Sequence, residues 1–286
     1  MLFPLKDLLL DAEKNNYALG AFNTPTLEAA RAAIEAAEEI NAPIVLQHAE
    51  VHNEIVPIEI IGPILVQMAI NTSVPVAVHL DHGSNFEFIK KAIEIGFSSV
   101  MIDASHFSFE ENVRIVKEVV SYAHTRNVSV EAELGMMPNQ EKGENEKNIH
   151  LKNLEDIYTD PDLAMEFVEK TNVDALAVSF GTVHGVYLKE PQLDFERLRE
   201  IYEKTNIPIV MHGGSGLKKE DYIQSIENGV RKINYYTYVA IEGANSVISF
   251  IDKMKNEKIL YHDLTLVAKE AMKEKIKDAL KIFLNK

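Results

Sequence analysis

Residues 74–85 read VPVAVHLDHGSN. An apolar, β-branched run ends in His79, Asp81 and His82 and then passes into Gly83, Ser84 and Asn85. The first part has the composition of a buried strand. The second places proton-handling and metal-ligating side chains where that strand stops. The same arrangement recurs along the chain. His184 follows ALAVSFGTV and precedes Gly185, and His212 follows IPIVM and precedes Gly213 and Gly214. Asp103 closes VMID and Glu133 closes VEAE. In a parallel barrel all strands end on one face, so residues distant in sequence meet in one site.

Strand-like runs lie near 18–22, 43–47, 75–80, 98–102, 128–133, 175–180, 207–211 and 230–234, and helical periodicity fills 27–40, 54–72, 85–95, 109–126, 161–171, 195–204 and 218–228. A further helical stretch spans 264–284, and the N-terminus MLFPLKDLLLDAEKNN reads as an amphipathic helix. Strands alternating with helices predict an α/β fold with a parallel sheet. Eight such units predict a (β/α)8 TIM barrel with an additional C-terminal helix, and the 286 residues suit a single domain over 1–286. One segment breaks the rhythm. The polar stretch around 134–160 is long for a βα connection and follows the fifth strand, which predicts an active-site loop.

Composition narrows the chemistry. The chain has no cysteine, so disulfides and thiolate metal sites are excluded and any transition metal must use His, Asp or Glu. A formal charge of −15 argues against nucleic-acid and membrane partners. No apolar run reaches the roughly 18 residues of a membrane span. The acidic N-terminal helix lacks the marks of a signal peptide, so a cytoplasmic location is expected.

Three imidazoles at three strand ends (His82, His184, His212) suit a catalytic zinc with an open position. Asp81 beside His82 is placed to handle protons. Asp103 and Glu133 would hold a second divalent ion or orient the imidazoles, unless Asp103 merely caps a helix. His79 reads as a buried, hydrogen-bonded residue, and His48, His52 and His106 are weaker ligand candidates. HGGSG at 212–216 precedes a helix, and its glycines and Ser215 offer donors to an anion. Asn234 and Thr237, at the end of the eighth strand, lie where such barrels commonly bind phosphate.

Taken together, HLDHGSN, MIDASHFSFEENV, VSVEAELG, FGTVHGVY, PQLDF and MHGGSG resemble the class II, zinc-dependent ketose-bisphosphate aldolases, whose main members cleave fructose or tagatose 1,6-bisphosphate. The likeness runs from about Asn23 to the C-terminus. It implies zinc ligation by His82, His184 and His212, with Asp103 and Glu133 at an alternative or second metal position. It makes Asp81 the acid that handles the C4 hydroxyl proton and Glu141 a glutamate acting at C3. Gly185, Gly213, Gly214, Ser215, Asn234 and Thr237 match the cradle for dihydroxyacetone phosphate, near which family members often bind a monovalent cation. The implied reaction is reversible cleavage of a ketose 1,6-bisphosphate to dihydroxyacetone phosphate and glyceraldehyde 3-phosphate through a metal-stabilised enediolate. Fructose 1,6-bisphosphate is the first candidate and the tagatose isomer the second. A homodimer or homotetramer is implied as well.

The chain also departs from the family pattern. Tyr236 and Tyr238 flank Thr237 where the family has a small or polar residue and an acid, and Tyr235 stands where it usually has Val. Pro138 and Asn139 stand in place of a Gly-Gly pair, Ala49 followed by Glu50 replaces a Ser or Thr, and Lys269 replaces an Arg. These changes spare the proposed zinc ligands and Asp81 and fall on substrate recognition. They predict a family-type reaction centre with an altered pocket. Tyr236 would exclude a second phosphate arm or stack against a different aldehyde. Two rival readings are an aldolase using a Schiff base on Lys232, the one lysine assigned to a strand, and a non-catalytic protein binding zinc and sugar phosphate.

Overall fold

The computed structural model describes residues 1–135, 157–187, 190–255 and 257–285. Most of the expected loop, with Pro138, Asn139 and Glu141, lies outside the described residues. Eight strands, β1 (Leu19–Asn23), β2 (Ile44–Ala49), β3 (Val76–Gly83), β4 (Ser99–Ile102), β5 (Ser129–Leu134), β6 (Ala175–Val178), β7 (Ile209–Met211) and β8 (Val230–Asn234), form a closed barrel. All neighbours are parallel, and β8 returns to pair with β1 through Gly20 and Ile233. The fold is the (β/α)8 barrel expected from the alternation.

Helix α1 (Leu5–Asn15) precedes the barrel, and α2 (Leu27–Ile40), α3 (Ile58–Asn71), α4 (Phe86–Ile95), α5 (Phe109–His124), α6 (Pro161–Thr171), α7 (Phe195–Thr205) and α8 (Lys219–Glu227) connect successive strands. Two helices follow β8: α9 (Thr237–Lys253) and α10 (Tyr261–Phe283). Local chemistry sets several helix starts. Thr26, Asn85, Ser108 and Asp194 each accept a backbone N–H of the first turn, as side-chain caps do. Among the described residues no helix is long and apolar enough to cross a membrane.

Two apolar clusters follow from strand alternation. Outward residues such as Ile44, Leu46, Val76, Val78, Leu80, Val130 and Ala132 pack under the helices. Inward residues Leu19, Ala21, Val45, Ala77, Ala175, Ala177 and Val210 meet Leu5, Leu8, Leu9 and Ala12 of α1. The N-terminal amphipathic helix therefore belongs to the interior cluster, and its Lys6 N–H reaches Ser129 Oγ at 2.9 Å.

Above that apolar layer the inward positions turn polar: His79 and Asp81 on β3, Glu131 and Glu133 on β5, Lys232 and Asn234 on β8. Each is buried except Asn234, which is half-buried. One element differs from expectation. The helical end predicted at 264–284 begins at Tyr261, and α9 is an additional helix before it.

Candidate active site

Asp81 and His82 are adjacent on β3, and side chains on an extended strand alternate between faces. The backbone resolves the conflict. His82 takes φ +50, the left-handed region, and the β3–β4 register shifts between Leu80 and Gly83. The other positive-φ positions among the described residues are Asn and Gly, which tolerate this region far better. The turn leaves both Asp81 and His82 on the cavity wall. Such a conformation costs about 1–3 kcal/mol and persists only where surrounding structure enforces it.

The structure brings the three histidines together, although only His82 and His212 stand at strand ends and His184 lies in the loop six residues beyond Val178, the last residue of β6. One ring nitrogen from each of His82, His184 and His212 falls in a group whose atoms all lie within 4.8 Å of one another, and His82, Asp103 and Glu133 form a second such group. His212 Nδ1 lies 2.9 Å from His82 Nε2. Two of the three rings, those of His82 and His212, are held from the far side by a carboxylate. Asp103 Oδ2 is 2.9 Å from His82 Nδ1, and Glu131 Oε1 is 2.8 Å from His212 Nε2. A carboxylate on the outer nitrogen fixes the tautomer and turns the inner lone pair toward a metal.

The donor set suits a divalent cation. Burial, reinforced by neighbouring imidazoles, pushes His184 down to about 3 and holds His212 below its ordinary value. Burial would lower His82 as well, but Asp81, Asp103 and Glu133 outweigh it and raise it to about 10, so a cation bound there would displace a proton from His82. Burial and nearby Asp103 push Glu133 up to about 8. Burial alone would raise Asp81 too, but His82, His212, Lys232 and His79 outweigh it and hold the carboxyl well below the usual range. Nitrogen and carboxylate donors with no thiolate fit zinc.

Asp81 is also gripped by two amides. Asn23 Nδ2 donates to Oδ2 at 3.0 Å and Asn234 Nδ2 to Oδ1 at 3.1 Å. Asn234 in turn accepts from Lys232 Nζ at 2.8 Å, and that ammonium lies 2.9 Å from Glu131 Oε2. Lys232 and Glu131 are fully buried. Lys232 is thus committed to an internal ion pair and is absent from the cavity wall, which counts against a Schiff base at that residue. His79 is buried with Nδ1 2.8 Å from Ser99 Oγ, as the sequence suggested.

The cavity encloses about 410 Å³ and is lined by His82, Asp103, Glu133 and His184 together with Gly185, Gly213, Ser215, Asn234 and Thr237. Gly213 sits at φ +63, where an added Cβ would come within 2.2 Å of the Val183 carbonyl oxygen, so only glycine fits. Ser215 Oγ accepts the Tyr236 N–H at 3.0 Å, leaving its hydroxyl proton for a ligand. Helix α9 starts at Thr237 on the cavity wall and brings its positive end to an anion. Gly214 differs from expectation: its N–H goes to the Asn234 carbonyl at 3.1 Å and it does not line the cavity. It shapes the turn, because a Cβ there would meet Ile233 and Asn234. Glu141 lies outside the described residues. His52 and His106 line the cavity, whereas His48 is buried in the wall.

Glu131 and Lys232 had no functional part in the sequence reading of the zinc site. The available signal was the alternation Ser129, Glu131, Glu133 on one face of a strand whose other face is Val130, Ala132 and Leu134: charge at inward positions of a barrel demands a partner inside.

Comparison with known proteins identifies the family. The family model described as fructose-bisphosphate aldolase class-II matches residues 4–286. A fructose-bisphosphate aldolase of Staphylococcus aureus (strain Mu50) is 42% identical over 289 residues, covering 99% of this chain and 97% of that protein. One from Geobacillus stearothermophilus is 42% identical over 260 residues, covering 89% and 88%. Among solved structures, the YdjI aldolase of Escherichia coli K12 superposes with a TM-score of 0.85 at 34% identity, covering 99% of this chain and 97% of that one. The chain belongs to the class II fructose-bisphosphate aldolase family.

Proposed function

We propose that this protein is a zinc-dependent aldolase that reversibly cleaves a phosphorylated ketose to dihydroxyacetone phosphate and an aldehyde. The observation that carries the reading is the meeting of three inward-facing histidine nitrogens with an ionised Asp81 beside an anion-binding turn. His82, His184 and His212 are the proposed ligands, with Asp103 and Glu133 available to a second or alternative position. A divalent ion held there supplies Lewis-acid stabilisation for the negative charge that builds on the ketone oxygen.

The chain's own residues supply the rest. Gly185, Gly213, Ser215, Asn234 and Thr237 hold the phosphate of the three-carbon ketone half, and Gly214 shapes their turn. A monovalent cation beside that phosphate belongs to the same proposal. Asp81, steadied by Asn23 and Asn234, takes the proton from the C4 hydroxyl as the carbon–carbon bond opens and returns it in the condensation direction. Glu141 is the proposed group for the proton at C3. Fructose 1,6-bisphosphate is the first substrate to assay and tagatose 1,6-bisphosphate the second.

Cleavage of either bisphosphate or of fructose 1-phosphate is expected to release dihydroxyacetone phosphate, to stop with a chelator and to return with zinc. Release that persists in chelator, or zinc-loaded protein that cleaves none of them, rejects the reading; bound zinc and sugar phosphate without turnover would favour a binding protein instead. Assembly into a homodimer or homotetramer is part of the proposal, supported by the exposed Ile241, Ile248 and Ile251 of α9. Sedimentation at two or four times the 32.2 kDa chain mass is expected; a single-chain mass overturns it.

A further inference from the structure

Two departures from the family pattern, Ala49 and Tyr236, line the cavity. Ala49 ends β2, Val51 and His52 follow it, and Tyr236 faces them, its ring centroid 4.9 Å from that of His52. No lysine or arginine is among the described residues that line the cavity. Two described lysines considered from the sequence are engaged elsewhere. Lys269 is bonded to Glu35 and lies 3.6 Å from Glu270, so its charge ties α10 to α2. Lys232 is buried against Glu131. Glu50, next to Ala49, adds a negative charge beside this wall and accepts from the N–H and hydroxyl of Ser84 at 2.6 and 2.9 Å.

A phosphate monoester carries nearly two negative charges and is recognised through Arg, Lys or converging N–H groups. The glycine turn and the α9 N-terminus provide such a cradle for one phosphate. The wall of Ala49, Val51, His52 and Tyr236 offers no lysine or arginine for a second among the described residues, and its aromatic and aliphatic surfaces suit the C–H faces of an uncharged chain.

We propose that the aldehyde half of the substrate carries no phosphate. The enzyme selects ketose 1-phosphates whose far end is an uncharged hydroxylated chain lodged against the wall of Ala49, Val51, His52 and Tyr236. This inference rests on the aldolase reading, and the test separates the two. Deuterium exchange into C3 of dihydroxyacetone phosphate, followed by NMR with the zinc-loaded protein, needs no aldehyde and reports on the aldolase reading alone. The ratio of kcat/KM for fructose 1-phosphate over fructose 1,6-bisphosphate reports on the far end.

The expected result is exchange together with a ratio of about tenfold or more, the scale at which one pocket contact discriminates. Tyr236→Ala is expected to narrow that ratio. Exchange with the bisphosphate preferred overturns the selectivity and leaves the aldolase standing. Absence of exchange removes both.

Discussion

Replacing Asp81 with asparagine is expected to lower kcat by about 10²–10⁴-fold, the usual contribution of a positioned proton-transfer group. The amide keeps the volume of the carboxyl and can keep one of its two hydrogen bonds, to Asn23 or Asn234. What it loses is the capacity to accept a proton. The carboxyl lies well below its ordinary range because four cationic or imidazole neighbours outweigh its burial, so the wild type is ionised across neutral pH. The measurement is kcat and KM for the best substrate, with zinc content determined in parallel. A fall in kcat with zinc retained is the expected split. Loss of zinc without a catalytic defect in the remaining metallated fraction would reassign Asp81 to metal retention.

Replacing Lys232 with methionine is expected to have the largest effect on stability. The ammonium is fully buried and lies 2.9 Å from Glu131 Oε2. Removing one member of a buried pair leaves an uncompensated charge, which destabilises by ~3–5 kcal/mol. Burial alone would raise Glu131, but Lys232, His212 and His79 hold it well below the carboxylate range. Loss of the lysine therefore raises that pKa and weakens folding. Glu131 also holds His212 Nε2 at 2.8 Å, so a disturbed carboxylate should lower zinc affinity by about 10–100-fold, as other supporting residues of metal ligands do.

Thermal unfolding and zinc competition with a chromogenic chelator read the two effects separately. Adding Glu131→Gln to Lys232→Met should recover much of the stability, since the orphaned charge is gone, but not the zinc affinity. Unchanged unfolding in the lysine variant would show that the pair contributes nothing net.

The barrel and most of its mouth were legible in the sequence for a definite reason. A parallel strand buried on both faces reads as a continuous apolar run, and the runs of β3, β4, β5 and β7 end in or beside His, Asp or Glu. His82 and His212 could be aligned with strand ends without knowing any contact. The same reasoning does not reach Glu131 and Lys232. A charged residue inside a strand-like run looks like a solvent-facing alternation until the barrel closes and shows that the face is interior.

Helix α9 was missed because its apolar residues do not form a single stripe. It buries Val239 and Gly243 yet leaves Ile241, Ile248 and Ile251 exposed, and β-branched residues together with Gly243 weaken the helical signal. Gly214 was legible as part of a glycine turn but not as a turn-shaping residue, because the partner of its N–H is the carbonyl of Asn234 on a neighbouring strand.

The left-handed backbone at His82 bears on any effort to move this chemistry to another scaffold. Grafting Asp-His onto a regular strand of a different barrel would direct one side chain into the mouth and the other into the helical shell. The portable unit is the bulged tripeptide of Asp81, His82 and Gly83 with the strand that accommodates its shifted register, and a designer who copies only the side chains will have copied the wrong half.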